Sequence, residues 1–251
     1  MKKKHLTLLN TESPIQAIQP AIVAVGGRKR AGKDSVCDIL VKNHGFEKLA
    51  FATNLRLICH KIFGVKLETM ISDELKEEPF DKPIKVTERM ISNLMIMCYE
   101  KYSFLYAYSF GEYHKRVHNN NIYDFARMEF LTPRHMLQIV GTEIIRNCIR
   151  DDFHVAVVLH RIQKRYDENK AQGLEKPKFC ISDCRFPNER QFVKLLKGKL
   201  IYITSPTDTR DCIHASEVSV GDKADYDFHF HNVKEGLDKL EFDFLEFFDV
   251  L

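Results

Sequence analysis

The sequence predicts a three-layer α/β/α fold built on a parallel central sheet, and three observations carry that expectation. Short apolar runs rich in β-branched residues, "AIVAV" at 21–25, "KFCIS" at 178–182 and "KLIYITS" at 199–205, read as buried strands. Segments of helical period separate them, and parallel strands need such crossovers, which place helices on both faces of the sheet. The order strand, polar tip, helix occurs twice, from residue 21 and again from residue 178.

The elements follow in chain order. After "AIVAV", the run "GGRKRAGK" interrupts the apolar pattern before the helix "DSVCDILVKNH", which Gly45 closes, and "FEKLAFAT" reads as a second short strand. Residues 54–63 form an amphipathic helix, and 66–85, charged and proline-containing, form a surface excursion. "RMISNLMIMCYEKYSFLYAYSF" is apolar enough for a buried helix, whereas "HKRVHNNNIYDF" reads as an exposed loop. A helix begins at Thr132, where a hydroxyl cap precedes proline at the first helical position. Another helix covers 153–168, and "QGLEKP" breaks it. The strands "KFCIS" and "KLIYITS" flank a helix in "DCRFPNERQFVKLLKG". A polar loop at 206–225, an alternating strand "YDFHFHN" and a terminal helix "EGLDKLEFDFLEFF" complete the chain.

Composition bounds the function classes. The 251 residues carry 38 basic and 35 acidic side chains, a net charge of +3, too weak a field to imply nucleic-acid or membrane binding. Any anion site is therefore local. The seven cysteines stand singly without a CxxC pair, so neither a zinc site nor a redox motif is indicated, and free thiols in a reducing cytoplasm are expected. The start "MKKKHLTLLN" is charged like a signal peptide, but its apolar run is only "LTLL", so it reads as a loose extension. No stretch approaches the roughly 20 apolar residues that cross a bilayer.

Gly27, Gly32 and Lys33 satisfy G-x-x-x-x-G-K between a strand and a helix, the context of a phosphate-binding P-loop. Glycines let consecutive N–H groups curl around phosphate oxygens, the helix N-terminus adds positive potential, and the lysine reaches the terminal phosphates. Gly27, Arg28, Lys29, Ala31, Gly32, Lys33, Asp34 and Ser35 are the expected nucleotide contacts. Asp34 stands where a hydroxyl residue usually serves magnesium. It could reach the metal through water, pair with an arginine on the acceptor side, or be a helix N-terminal acid worth about 0.3 to 1 kcal/mol.

A second constellation, "FCISDCRFPNER", delivers Asp183 and Arg185 to the C-terminal end of a strand, the edge where open parallel sheets bind ligands. Asp183 could hold magnesium or a substrate group, and Arg185 could clamp a phosphate with two donors, against the alternative of an ordinary strand-end turn. A third, "TPRHMLQIVGTEIIR", spaces Arg134, Gln138 and Thr142 four apart on one helix face, which suits a phosphate plus a base or sugar but equally a solvated face.

Together these pieces resemble the bacteriophage deoxynucleoside monophosphate kinases. "GRKRAGKDS" is similar to that family's loop, its aspartate included, "RHMLQIVGTE" to its arginine, glutamine, Gly-Thr-acid helix, and "SDCRFPNE" to its strand-end Asp-x-Arg followed by an acid. "IHASE", with His214 and Glu217, is similar to a late family motif. The resemblance implies a nucleoside monophosphate kinase-like P-loop NTPase fold and transfer of the γ-phosphate of ATP, with Mg2+, to a deoxynucleoside monophosphate, in deoxynucleotide supply. The expected catalytic residues are Lys33, Arg185 and Asp34, and the metal is expected at Asp34 or Asp183. The implied substrate contacts are Arg30, Asp34, Arg134, Gln138, Gly141, Thr142, Asp183, Arg185 and Glu189. His154 stands after "RDDF", where an aromatic wall for the base is expected.

The expected organisation is an extension at 1–20 and one P-loop kinase domain at 21–251, with a helical insertion around 66–130 and a lid around 205–225 carrying Arg210. The expected partners are small molecules, with no membrane or direct nucleic-acid binding and a homodimer allowed, in the cytoplasm, the host's if the source is viral. A phosphomevalonate-type kinase shares the loop and the Ser-Asp-x-Arg strand end but lacks the "LQIVGTE" helix. A P-loop ATPase using "RKR" on nucleic acid is the reading from another class.

Overall fold

A computed structural model of the chain describes residues 20–103, 109–206, 220–221 and 223–251. The expected N-terminal extension up to residue 19, most of the expected lid, and the readings on Arg210, His214 and Glu217 lie outside the described residues. The strands are β1 (Ala21–Gly27), β2 (Glu47–Leu49), β3 (Ile84–Lys85), β4 (Glu129–Phe130), β5 (Lys178–Ile181), β6 (Lys199–Thr204) and β7 (Phe228–His231). The helices are α1 (Lys33–His44), α2 (Thr53–Phe63), α3 (Leu67–Ile71), α4 (Glu88–Lys101), α5 (Phe110–Asn119), α6 (Pro133–Gln138), α7 (Phe153–Ala171), α8 (Pro187–Leu195) and α9 (Leu237–Asp249). The chain groups into two compact units, one from the described parts of Met1–Phe51 and Val158–Leu251, the other Ala52–Val157.

The first unit holds the parallel sheet, in the order β2-β5-β1-β6-β7. β1 lies at the centre because its residues are apolar on both faces, and Ile22 through Val25 are all at most 3% exposed. Alternation divides them. Val23, Val25, Ile201, Ile203 and Phe230 pack with Val36 and Leu40 of α1 and Leu240 and Phe244 of α9. On the opposite face α8 covers Ile22 so closely that a Cβ on Gly198 would stand 2.8 Å from Val193 and 3.0 Å from Ile22. The result is the expected α/β/α sandwich.

The second unit is mainly helical. Its two-stranded sheet pairs β3 and β4 antiparallel, and the Phe63 and Phe130 rings meet edge-on at 5.2 Å. α4 and α5 pack through Tyr99 and Tyr113, whose hydroxyl donates to the Met95 carbonyl at 3.0 Å. The surface excursion expected at 66–85 contains α3 and β3.

Two expectations are corrected here. The buried helix read over 89–110 stops at Lys101, and the exposed loop read over 114–125 is α5 followed by a short 3-10 turn at Ile122–Phe125. The reason is local. Ser109 and Glu112 form a reciprocal capping box, and Tyr113 and Val117, four apart, bury one face. The helix capped by Thr132, whose hydroxyl accepts the His135 N–H at 3.0 Å, is α-helical only to Gln138 and continues as a π-helix over Ile139–Ile149.

Candidate active site

β1 delivers the chain to the loop through Gly27, whose φ of 140° and close approach to β6 exclude a side chain. A Cβ there would lie 2.3 Å from the Ile203 carbonyl oxygen. The loop turns through Arg30 at a positive φ of 63° and reaches Gly32, where a Cβ would stand 2.5 Å from the Asn232 amide nitrogen. That amide donates to the Ala31 carbonyl at 3.0 Å, so the residue after β7 braces the loop from beneath. No side chain caps α1 at Gly32. The first-turn amides and the positive end of the helix dipole thus stand at the loop, an arrangement that suits phosphate oxygens.

Lys33 opens α1 and is 8% exposed, with its ammonium donating to the Arg28 carbonyl. The lysine belongs to a folded helix end rather than to a solvated loop. Arg30, by contrast, is exposed. Arg28 and Lys29 are partly exposed on the turn, and Ser35 is half-buried in the first turn of α1.

Asp34 pairs with a lysine rather than an arginine. Lys48 of β2 lies 3.0 Å from its carboxylate and also reaches Asp38 at 2.8 Å. Crowding by its neighbours pushes the Asp34 carboxyl up, but the Lys48 charge and hydrogen bond, a bond from Ser182 and the charge of Lys33 outweigh this and hold it below the usual range. Desolvation would lower the Lys48 ammonium, but the bond to Asp38 and the charge and bond of Asp34 raise it.

Ser182 and Asp183 continue β5, which lies beside β1, and the Cys184 N–H donates to the Val25 carbonyl at 3.2 Å. The strand-end residues and the glycine loop therefore share the C-terminal edge of two neighbouring parallel strands. Asp183 accepts the Phe51 N–H at 2.7 Å. Arg185 is half-buried. Glu189, expected to touch substrate, is 2% exposed and accepts the N–H groups of Arg185 at 2.7 Å and Phe186 at 2.9 Å. It shapes the turn that presents Arg185.

Among the described residues no group of three or more His, Cys, Asp or Glu side chains forms a ready-made metal cage. Magnesium takes one or two carboxylates and completes its shell with phosphate oxygens and water. The carboxylates of Asp34, in the first turn of α1, and Asp183, just after β5, are oxygen donors of that kind.

The remaining expected contacts lie in the second unit. Arg134 forms an ion pair with Glu77, and its N–H donates to the Lys76 carbonyl at 2.8 Å. Gln138 is half-buried at the last α-helical position, and Thr142 is buried one turn on. Because residues 139–149 wind with π geometry, the four-residue spacing from Gln138 to Thr142 is not the i, i+4 face of an α-helix. Gly141 lets Leu55 approach, since a Cβ would stand 2.7 Å from the leucine Cδ2. His154 is 5% exposed, with Nε2 3.4 Å from the Gly141 carbonyl. Burial, then the charge of Arg146, drives its pKa down to about 3 despite the Gly141 bond, so it is neutral.

Four residues escape a motif reading. Lys48, Tyr226 and Asn232 support the loop or the strand-end turn from other parts of the chain, and Arg190 does so from the end of the strand-end motif, where no spacing marks its role.

The family model described as deoxynucleotide monophosphate kinase matches residues 21–232. A protein of Acanthamoeba polyphaga mimivirus assigned as a deoxynucleotide monophosphate kinase is 27% identical over 219 residues, covering 85% of this chain and 89% of the relative. Among solved structures, a dephospho-CoA kinase from Campylobacter jejuni is 14% identical with a TM-score of 0.40, covering 91% of this chain and 96% of its own.

Proposed function

Because the chain belongs to the deoxynucleotide monophosphate kinase family, we propose that it uses ATP with Mg2+ as donor and that the loop at 27–33 and the strand end at 183–185 carry the transfer. The observation that supports this reading is their shared position at the C-terminal edge of β1 and β5, beside the uncapped start of α1.

Phosphoryl transfer asks the protein for alignment and charge neutralisation. Amides of Gly27 through Ser35, with Arg28, Lys29 and Ala31 shaping the turn, would receive the donor phosphates, and Lys33 would follow the charge that develops on them. Magnesium, when bound, supplies charge neutralisation between the phosphates, and Asp34 or Asp183 would hold it. Lys48, 3.0 Å from the Asp34 carboxylate, offsets its repulsion of phosphate. Arg185 and Arg30 would offset the charge of the acceptor phosphate. The acceptor is already an anionic oxygen, so no strong general base is required.

The test is to incubate the chain with magnesium-ATP and a panel of deoxy- and ribonucleoside monophosphates plus phosphomevalonate, measuring ADP and phosphorylated product. Deoxynucleoside monophosphates are expected to drive ADP formation. Turnover only with phosphomevalonate, or ATP hydrolysis stimulated by nucleic acid without a phosphorylated monophosphate, refutes the reading. Within the site, Arg185→Lys keeps the charge and loses the planar two-donor fork, so monophosphate affinity or turnover should fall while ATP binding stays within about twofold.

A further inference from the structure

Arg190 is 7% exposed in α8, five residues beyond Arg185, and the motifs assign it no role. One guanidinium nitrogen donates to the Arg185 carbonyl at 2.7 Å and to the Val220 carbonyl at 3.1 Å, and the other to Asp225 at 3.2 Å. The guanidinium also lies 5.6 Å from the ring centre of Tyr226, whose hydroxyl donates to the carbonyls of Val220 at 2.9 Å and Cys184 at 3.3 Å. Tyr226 packs so tightly over the end of β1 that a Cβ on Gly26 would stand 2.0 Å from its hydroxyl.

Burying an arginine is costly unless its donors are used, and here the planar fork reaches separate backbone segments that an ammonium could not span together. The consequence falls on Arg185. Its N–H is held by the Glu189 carboxylate and its carbonyl by Arg190, so both sides of the residue are fixed from consecutive positions of α8. A half-buried arginine on a strand-end turn would otherwise lose backbone and side-chain freedom each time it met a phosphate.

We propose that Arg190 is a positioning residue for phosphoryl transfer, which holds the Arg185 backbone so that its guanidinium is already aimed at the acceptor phosphate. The inference deepens, and rests on, the assignment of Arg185 to that phosphate.

The experiment uses the full chain and a double-mutant cycle over Arg185→Lys and Arg190→Gln, with kinetics and calorimetric titrations of a deoxynucleoside monophosphate and of ATP. Arg190→Gln is expected to weaken monophosphate binding and slow turnover by about tenfold, leave ATP affinity within about twofold, and add little to Arg185→Lys, because both changes act on one guanidinium. Wild-type kinetics in Arg190→Gln, or losses that multiply in the double variant, overturn the inference, since a purely structural role would act independently of Arg185. If Arg185→Lys is silent while Arg190→Gln is slow, the Arg185 assignment has failed and the inference falls with it. If Arg185→Lys is slow and Arg190→Gln is normal, the inference alone fails. Should melting curves show that Arg190→Gln does not fold, Arg190→Lys serves in the same cycle, with the same non-additive loss expected and a multiplicative or absent loss overturning the proposal.

Discussion

His154 should make the stability of the fold acid-sensitive in a way that can be assigned to one ring. Its pKa falls from 6.5 to about 3 on folding, chiefly through burial, with the Arg146 charge as a second cause. Below pH 6.5 the unfolded chain takes up a proton that the folded chain refuses, so stability is fully present above that pH and is lost as pH falls toward 3. Each pH unit in that window costs about 1.4 kcal/mol, which gives about 2 kcal/mol at pH 5. That is a large share of the 5 to 15 kcal/mol typical of a folded domain. Replacing the histidine by phenylalanine keeps a ring and removes the titration. Urea unfolding of wild type and His154→Phe at pH 7 and pH 5 isolates the effect, because the other groups titrate alike in both proteins. The stability drop between the two pH values should be smaller in the variant by about 2 kcal/mol. Equal drops would show that the buried ring is protonated at no cost, and the burial argument would be wrong.

Two further outcomes concern the loop. Lys33→Ala should lower turnover by about 10²- to 10³-fold, as expected when one donor to developing charge is lost. Wild-type turnover in a folded variant would remove Lys33 from the site. Gly27→Ala should destabilise the fold by about 1 to 3 kcal/mol in denaturant titrations and weaken ATP binding, because its Cβ meets the Ile203 backbone 2.3 Å away at a φ of 140°. An unchanged unfolding midpoint would refute the close-approach argument.

The sheet was legible because its strands are short apolar runs and because parallel pairing follows from the crossovers. The glycine loop was legible because phosphate binding by backbone amides demands a local pattern. The helical unit was less so. Its residues 114–125 are polar enough to read as a loop, and what makes 110–119 a helix is a cap at Ser109 with a sparse apolar stripe at Tyr113 and Val117. The π-helix left no sequence signal, since apolar periodicity does not register one residue more per hydrogen-bonded turn. Within the site, the sequence marked groups suited to phosphate but not those that hold them. Asn232 braces a carbonyl 201 residues earlier in the chain, and Lys48 meets Asp34 only because β2 and α1 fold together. Such supports depend on tertiary contacts, and no spacing within a segment encodes them.

Among the described residues the strand order leaves β2 and β7 at the margins of the parallel sheet, and their make-up bears on how the folded protein behaves when concentrated. β2 is three residues long and places Glu47 and Lys48 on the margin, where they engage Arg165 and the acids of α1. β7 has four residues and turns His229 and His231 outward. Short margins bearing charged or imidazole side chains make poor templates for an incoming strand, so the native sheet discourages edge-to-edge polymerisation.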